Sequence, residues 1–331
     1  MTRARAVLVT APTTPIGRRI VERLAADPAI TCVLAVDVAT PGAAITPGAS
    51  GASDARVRWA QCDLTRYRDA HRLLHQTAPE LHIDSIVHTP LHRSATDKGR
   101  HVWELNVQTT RTLLSLAEEA PGIERFVLRS FADVYRVDRE LPAVLDEDHP
   151  LDLSPDSSQR TRDRIEADMT VRARVGTSRL RLVVLRCAEV LAAGAGSQLY
   201  DYLSSRVCLR SLGYDPVLNL LSVEDAARAT ELALAVEAPD ASGVFNIPGL
   251  DLLPLSHVIE RAGRMGAAVP GQMLGALYRL RRRAIGTEFE YAPNRPRFHF
   301  GAVLDGGRAR RTLGYAPAVG IDWASLAREL R

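Results

Sequence analysis

The chain has 331 residues, of which 46% are hydrophobic and 24% are charged, a composition typical of a water-soluble protein that folds as one large domain or two smaller ones. Its 42 Lys and Arg against 39 Asp and Glu leave a net charge of +3, too weak a balance to predict nucleic acid or an anionic membrane as the main partner. Its four cysteines include no C-x-x-C pair, and no stretch approaches the roughly 20 apolar residues of a membrane span, so we predict a cytoplasmic protein with no transmembrane segment and no metal site.

Short apolar runs rich in β-branched residues alternate along the chain with longer segments of helical periodicity. The runs predicted as strands are Ala6–Thr10, Cys32–Asp37, Val57–Ala60, Ile83–His88, Arg125–Leu128, Leu182–Arg186 and Val244–Ile247. The segments predicted as helices are Ile16–Ala26, Tyr67–Thr77, His101–Ala120, Ser157–Arg174 and Val223–Glu237. The alternation predicts an α/β fold, a Rossmann-like doubly wound parallel sheet of about seven strands.

The regular alternation weakens from about Leu191 onward, where glycine and proline become more frequent, and it returns briefly between 221 and 249. We therefore predict two units. Residues 1–190 plus 221–249 form the Rossmann-like dinucleotide-binding domain, and residues 191–220 plus 250–331 form a smaller substrate-type lobe.

The first predicted strand runs directly into a helix, as it does in dinucleotide-binding βαβ units. Gly17 lies where such a unit needs a glycine for close packing of helix and strand, and Asp37 ends the second strand about twenty residues later. A carboxylate there hydrogen-bonds the ribose hydroxyls of adenosine and repels a 2′-phosphate, which predicts NAD rather than NADP. Asp37 alone is equally well explained as a turn residue at the end of a strand.

Several motifs follow one another in order from Val7 onward. They are Thr10–Gly17 for T-G-x-x-G-x-x-G, Asp37 after the second strand, Asp63-Leu64 for an adenine-contacting Asp-Leu, Val87-His88, Asn106 in the long helix, Leu185-Arg186, Val223–Ala229 for V-x-D-V-A-R-A, and Leu313–Pro317. Together they resemble the extended short-chain dehydrogenase/reductase family, the NAD-dependent epimerases and dehydratases that include UDP-galactose 4-epimerase.

The resemblance implies NAD as cofactor, a nucleotide sugar or another small molecule as substrate, and homodimerisation through His101–Ala120 and Ser157–Arg174. It implies cofactor contacts at Ala11, Thr14, Pro15, Ile16, Gly17, Asp37, Asp63, Leu64, His88, Asn106 and Arg160.

The phosphate-binding loop departs from the family pattern. Ala11 and Thr14 replace two glycines, at a cost on the order of 1 kcal/mol for a residue with a Cβ where positive φ is required. Pro12 and Pro15 remove two backbone N–H groups and bias Ala11 and Thr14 toward extended conformations. We expect the N–H groups of Ile16 and Gly17 to stay available at the helix N-terminus. Because the loop has lost the other features that hold a pyrophosphate, we expect the NAD site to be weakened or vestigial.

The catalytic positions depart as well. The family uses a Ser or Thr hydroxyl, a tyrosine acid/base and a lysine four residues later, and the matching positions hold Phe131, Asp156 and Arg160. At pH 7 an ordinary aspartate is ionised and arginine stays charged, so neither replaces the tyrosine or the lysine in kind. Asp156 is most simply explained as a helix cap that pairs with Arg160 at i, i+4, while an unconventional acid/base pair and a misalignment by a few residues stay open.

Three functional hypotheses follow. The leading one is a family protein that has lost the Ser/Tyr/Lys catalysis, a pseudoenzyme that serves as a cofactor-responsive or scaffolding protein. The second is an active NAD-dependent sugar-nucleotide epimerase, dehydratase or reductase with non-standard acid/base residues. The third is a partner-binding homologue that uses no nucleotide.

Overall fold

A computed structural model describes residues 5–39, 56–90, 97–238 and 241–330. Its centre is a sheet of seven strands within these ranges, all paired in parallel. From one edge to the other the strands are Gly243–Ile247, Arg181–Cys187, Arg125–Phe131, Ser85–His88, Arg5–Thr10, Ile30–Asp37 and Val57–Gln61. The predicted fold class is confirmed, and each of the seven predicted strands is found in this sheet.

Helices connect the strands and cover both faces of the sheet. They are Pro15–Ala26, Tyr67–Arg72 continued by π-helical Leu73–Thr77 and by Ala78–Glu80, Arg100–Trp103 continued by π-helical Glu104–Gln108 and by Thr109–Glu119, the 3-10 turn Ala132–Val134, Gln159–Arg172, and Val223–Ala235. The fourth predicted helix begins two residues later than expected, because the Ser158 side chain accepts the N–H of Thr161 and so makes Ser158 the N-cap.

The strands are apolar on both faces, as strands in a parallel sheet covered on both sides must be. In the strand Arg5–Thr10, Val7 and Val9 belong to the core on one face, while Ala6 and Leu8 belong to the core on the other. Because neighbouring side chains of a strand point to opposite faces, a continuous apolar run fills both cores at once.

Further short elements pack beside the carboxyl ends of the sheet strands. The strands are Val144–Leu145, Glu189–Val190, Val207–Ser211, Val217–Leu221, Asp251–Pro254, Met265–Val269 and Val303–Leu304, and the helices are Gln198–Leu203, Leu255–Arg261, Gly271–Ile285, Tyr291–Phe300, Gly307–Leu313 and Trp323–Glu329. A separate core of aromatic and aliphatic side chains, including Tyr202, Tyr278 and Phe289, holds many of them together. The division of the chain into two units stays a prediction.

Within the described ranges, no helix is both long enough and apolar enough to cross a membrane.

Candidate functional site

The carboxyl ends of the parallel strands meet at one edge of the sheet, where open α/β sheets place their ligand crevice. Thr10, Asp37, His88 and Phe131 each lie at such a strand end. A cavity that is partly open to solvent lies at this edge above Phe131. The structure therefore gathers at one edge residues that are far apart in the sequence.

The turn after the first strand keeps the backbone path of a glycine loop although two glycines are missing. Ala11 adopts a φ of 48°, in the left-handed region that favours glycine, so the extended conformation expected for it is wrong. Gly17 is required, because a Cβ there would lie 2.2 Å from the carbonyl oxygen of Ala11. The loop thus reaches its tight turn by straining Ala11.

Thr14 changes what the helix N-terminus can bind. It is extended, as expected, and it caps the helix Pro15–Ala26: its Oγ1 accepts the N–H of Gly17 at 3.0 Å and donates to the carbonyl of Ala11 at 2.8 Å. The expectation that the Gly17 N–H stays available is therefore wrong, because the replacing threonine supplies its own acceptor. The Thr14 N–H is also used, donating to the carbonyl of Ala11 at 3.1 Å.

The two carboxylates predicted to contact the adenosine end of the cofactor accept hydrogen bonds from loop residues of the protein. Asp37 is 8% exposed and its Oδ2 accepts the hydroxyl of Thr13 at 2.5 Å, while its Oδ1 accepts the N–H of Val38 at 2.8 Å. Asp63 accepts the N–H and hydroxyl of Thr65 at 3.1 and 2.6 Å, and the neighbouring Leu64 is buried in the core.

The loop as it is arranged offers a dinucleotide pyrophosphate fewer free N–H groups than a glycine loop does. Such a group is held by free backbone N–H groups at a helix N-terminus. Here Pro12 and Pro15 have none, and those of Thr14 and Gly17 are bonded internally. The N–H of Thr13 faces Asp37 Oδ2 at 3.4 Å, which places a carboxylate where the loop would meet an anion.

His88 and Asn106 line the cavity from the side of the fourth strand and the long helix. Both ring nitrogens of His88 are engaged, Nδ1 with the hydroxyl of Thr10 and Nε2 with that of Thr110, each at 3.0 Å. Burial lowers the pKa of His88 to about 4, so the ring is neutral at pH 7. Its hydrogen bonds connect the end of the strand Ser85–His88 with the end of the strand Arg5–Thr10 and with the helix Thr109–Glu119.

Phe131, which the sequence matches to the family hydroxyl position, lies close to two guanidinium groups. The Cζ atoms of Arg129 and Arg164 lie 4.2 and 3.3 Å from the ring centroid. Arg164 also pairs with Asp133, and Arg160 lies 3.3 Å from the same carboxylate. A guanidinium over an aromatic face gains up to about 2 kcal/mol where it is desolvated, so the ring fixes the two arginines in place.

Burial and neighbouring charges determine the protonation states of Arg164 and Asp133. Burial lowers the pKa of Arg164 to about 9, so its guanidinium is still charged at pH 7. Burial alone would raise the pKa of Asp133, but the guanidinium groups of Arg164, Arg160 and Arg297 hold it below its usual value. Asp133 is therefore a carboxylate at neutral pH and has no proton to donate.

The expected pair of Asp156 and Arg160 does not form. Asp156 is exposed and lines a different cleft, while Arg160 turns to Asp133 and donates to the carbonyl of Gly196 at 2.5 Å. Asp156 is not the helix cap either, since Ser158 takes that position. The buried Asp133 outcompetes Asp156 for Arg160, because a carboxylate out of water attracts the guanidinium more strongly than an exposed one.

Ser130 cannot stand in for the missing hydroxyl without breaking a buried network. Its Oγ donates to Asp168 Oδ2 at 2.6 Å, and Arg186 binds both oxygens of the same carboxylate at 3.0 and 2.6 Å. Tyr135 packs against the Arg186 guanidinium and donates its hydroxyl to Asn246 at 2.6 Å. Burial raises the pKa of Tyr135 to about 12, which makes it a poor acid/base at pH 7.

Arg129, Asp133 and Arg164 were not predicted from the sequence as site residues. One signal was available: Arg160 and Arg164 are four residues apart, so they share one face of the helix Gln159–Arg172. Arg164 lies one turn deeper than Arg160, against Phe131 itself. Nothing in the local sequence indicates that Arg129 and Asp133, at the end of a strand and in the turn after it, meet this helix face.

Comparisons with known proteins give a consistent result. The model of the NAD dependent epimerase/dehydratase family matches residues 7–247. The uncharacterized protein Rv0501 of Mycobacterium tuberculosis is 30% identical over 320 residues, which cover 95% of this chain and 80% of that protein.

Two solved structures share the fold. UDP-glucuronic acid 4-epimerase from Bacillus cereus, in complex with UDP-glucuronic acid and NAD, has a TM-score of 0.69 at 16% identity over 98% of this chain and 100% of that one. DesIV, a dTDP-glucose 4,6-dehydratase from Streptomyces venezuelae with NAD and TYD bound, has a TM-score of 0.68 at 22% identity over 98% and 95%.

Proposed function

The chain belongs to the NAD dependent epimerase/dehydratase family, and we propose that it is a member that has lost the family's hydroxyl, tyrosine and lysine catalysis and retains its cleft for binding. The observation that carries this proposal is Phe131 held between Arg129 and Arg164 at the family hydroxyl position. A ring clamped there supplies neither a hydroxyl nor space for one.

The neighbouring groups support the loss of acid/base chemistry. Asp133 is ionised at neutral pH, Tyr135 is buried with its hydroxyl bonded to Asn246, and Arg160 cannot lose its proton as a lysine can. Positioned acid/base groups contribute roughly 10²–10⁴-fold to a rate, so their absence leaves little of the family reaction.

We further propose that NAD binding is weakened rather than abolished. Asp37 and Gly17 keep their places in the fold, while Thr14 occupies the N–H group of Gly17. We expect NAD to bind more weakly than in relatives with three glycines, and NADP more weakly still because of the Asp37 carboxylate.

Two measurements test the proposal together. Calorimetric titration with NAD+, NADH and NADP+ measures cofactor binding. Incubation with NAD+ and UDP-glucose, UDP-glucuronic acid or dTDP-glucose then measures turnover, and we expect none above background. Turnover that requires NAD+ and disappears in Arg164→Gln or Asp156→Ala would establish the active-enzyme alternative.

The organisation of the chain completes the proposal. We propose that residues 191–220 and 250–331 form the smaller lobe, which is supported by the separate core around Tyr202 and Phe289. We also propose a homodimer through the segments His101–Ala120 and Ser157–Arg174, the second of which carries the exposed Met169. Light scattering that gives the mass of one chain would contradict the dimer.

A further inference from the structure

Three guanidinium groups line the cavity above Phe131, and among the residues that the structure describes only one carboxylate pairs with them. Arg129 is 5% exposed, and the side chains of Arg164 and Arg160 are 9% and 13% exposed. Asp133 pairs with Arg160 and Arg164, while Arg129 stacks on Phe131 instead, so two of the three positive charges contact this carboxylate and the third does not. Arginine keeps its charge in proteins, so this excess is not relieved by loss of a proton.

Other carboxylates nearby are already engaged. Asp168 also lines the cavity, but both of its oxygens bind the fully buried Arg186. Glu189 accepts the hydroxyl of Ser197 at 2.5 Å, and Asp201 accepts the side-chain amide of Gln198 at 2.7 Å. Glu189 and Asp201 act on the guanidinium groups through space and do not fill their hydrogen-bonding positions.

Two of the arginines that line the cavity carry donors without a partner in the described residues. The Nε atoms of Arg129 and Arg160 are buried and make no hydrogen bond within the described ranges of the chain. A buried donor attached to a charged group costs about 1–3 kcal/mol when it has no partner, so native proteins seldom leave two together. Stacking on Phe131 fixes Arg129 in advance, which lowers the entropic cost of ordering it around a ligand.

We infer that this cavity is a binding site for a phosphoryl dianion, either free phosphate or the terminal group of a phosphate monoester. The two negative charges of the dianion equal the excess of positive charge that the three guanidinium groups have over the Asp133 carboxylate. The phosphoryl oxygens are arranged tetrahedrally, so they can accept from Arg129 at the strand end and from Arg160 and Arg164 on the helix at the same time. Guanidinium groups bind phosphate in a bidentate manner. Such a ligand binds whether or not the protein turns over a nucleotide sugar.

The experiment titrates the full chain with sodium phosphate, glucose 1-phosphate and malonate by calorimetry in low-salt chloride buffer without nucleotide. The same ligands are added during thermal unfolding. We expect one phosphate per chain and a rise in Tm. The test variant is Arg160→Gln, because Arg160 is the most exposed of the three arginines and its loss is the least disruptive to folding. The matched control is Arg172→Gln, which removes the same charge from an exposed position at the end of the same helix.

Arg160→Gln is expected to weaken phosphate binding by roughly tenfold or more, while Arg172→Gln binds as the wild type does. Asp133→Asn removes the competing carboxylate and is expected to tighten binding, an effect that a purely structural role for Asp133 does not produce. If Arg160→Gln does not fold, Arg160→Lys keeps the charge but not the fork, and weakened binding in that variant supports the site equally.

Tighter binding of glucose 1-phosphate than of phosphate supports the site and identifies a monoester as its ligand. Equal binding of both supports the site and shows that the phosphoryl group suffices. Tighter binding of malonate than of both phosphates overturns the phosphoryl assignment. Equal phosphate affinity in the wild type and Arg160→Gln, or no binding above that of chloride, overturns the site altogether.

Discussion

Replacing Thr14 by glycine is expected to restore part of the phosphate-binding loop. The substitution removes the Oγ1 that accepts the Gly17 N–H and removes the Cβ from the loop surface. Glycine is itself an acceptable N-cap, so the helix Pro15–Ala26 loses only a few tenths of a kcal/mol and the protein should fold.

The gain in affinity can be estimated from the one donor released. A hydrogen bond from a backbone N–H to a charged phosphate is worth about 1.5–3 kcal/mol. At about 1.4 kcal/mol per factor of ten, the freed Gly17 N–H predicts NAD binding that is roughly tenfold to a hundredfold tighter in Thr14→Gly. Calorimetric titration of wild type and variant with NAD+ at the same temperature and ionic strength measures the ratio directly.

Thr14→Ser is the matched control, because serine keeps the hydroxyl that accepts the Gly17 N–H while it loses the methyl group. It is expected to bind NAD as the wild type does. Equal affinity in all three proteins would refute the explanation based on the capped N–H group. Tightening in both variants would show that the methyl group, and not the hydrogen bond, obstructs the cofactor.

Three further predictions concern stability. Ala11→Gly should raise the free energy of unfolding by about 0.5–1 kcal/mol, because glycine adopts a φ of 48° without strain; an unchanged value in urea unfolding would contradict this. Asp168→Ala should lower the free energy of unfolding by roughly 3–5 kcal/mol, because Arg186 stays buried without its partner. Ser130→Ala, which removes one hydrogen bond to the same carboxylate, should cost about 1 kcal/mol. Equal losses in the two variants would argue against the ion pair. Burial lowers the pKa of His88 to about 4, so the unfolded chain binds the proton first as the pH falls below about 6.5, and the wild type should lose roughly 2 kcal/mol by pH 5 relative to pH 7. Asp163, whose pKa burial raises to about 6, acts in the opposite direction in both proteins, so the test is the difference from His88→Gln, which should lack this loss; parallel pH profiles would contradict it.

The sheet could be predicted from the sequence because its signal is local and repeated. Strands such as Arg5–Thr10 and Arg181–Cys187 are apolar on both faces, and each is separated from the next by a helical segment, which together require a covered parallel sheet. The positions of Gly17 and Asp37 in the fold could also be predicted, because each belongs to a local motif next to a strand. The smaller strands, such as Glu189–Val190 at two residues, are too short to leave a periodic pattern.

The site could be predicted only as a set of replaced positions, not as an arrangement. Pairing Arg160 with Asp156 followed from helical spacing, which assumes that the nearest carboxylate in the sequence is the nearest in space. The structure instead brings Asp133 to Arg160 from a turn far away in the chain, and burial makes that contact the stronger one. Long-range contacts of this kind leave no local signal in the sequence. The hydrogen bond by which the Thr14 hydroxyl caps the helix Pro15–Ala26 was not predicted either.

The contacts around Phe131 also bear on the proposed loss of the family reaction. Phe131→Ser would return a hydroxyl, but it would remove the ring on which Arg129 and Arg164 rest, leaving two buried guanidinium groups with more freedom and no new partner. Lysine at Arg160 would lose the fork that reaches both Asp133 and the Gly196 carbonyl. Because Phe131 and Arg160 are linked through Arg164 and Asp133, reversing either of them alone is expected to cost stability, which supports the proposed loss of the family reaction.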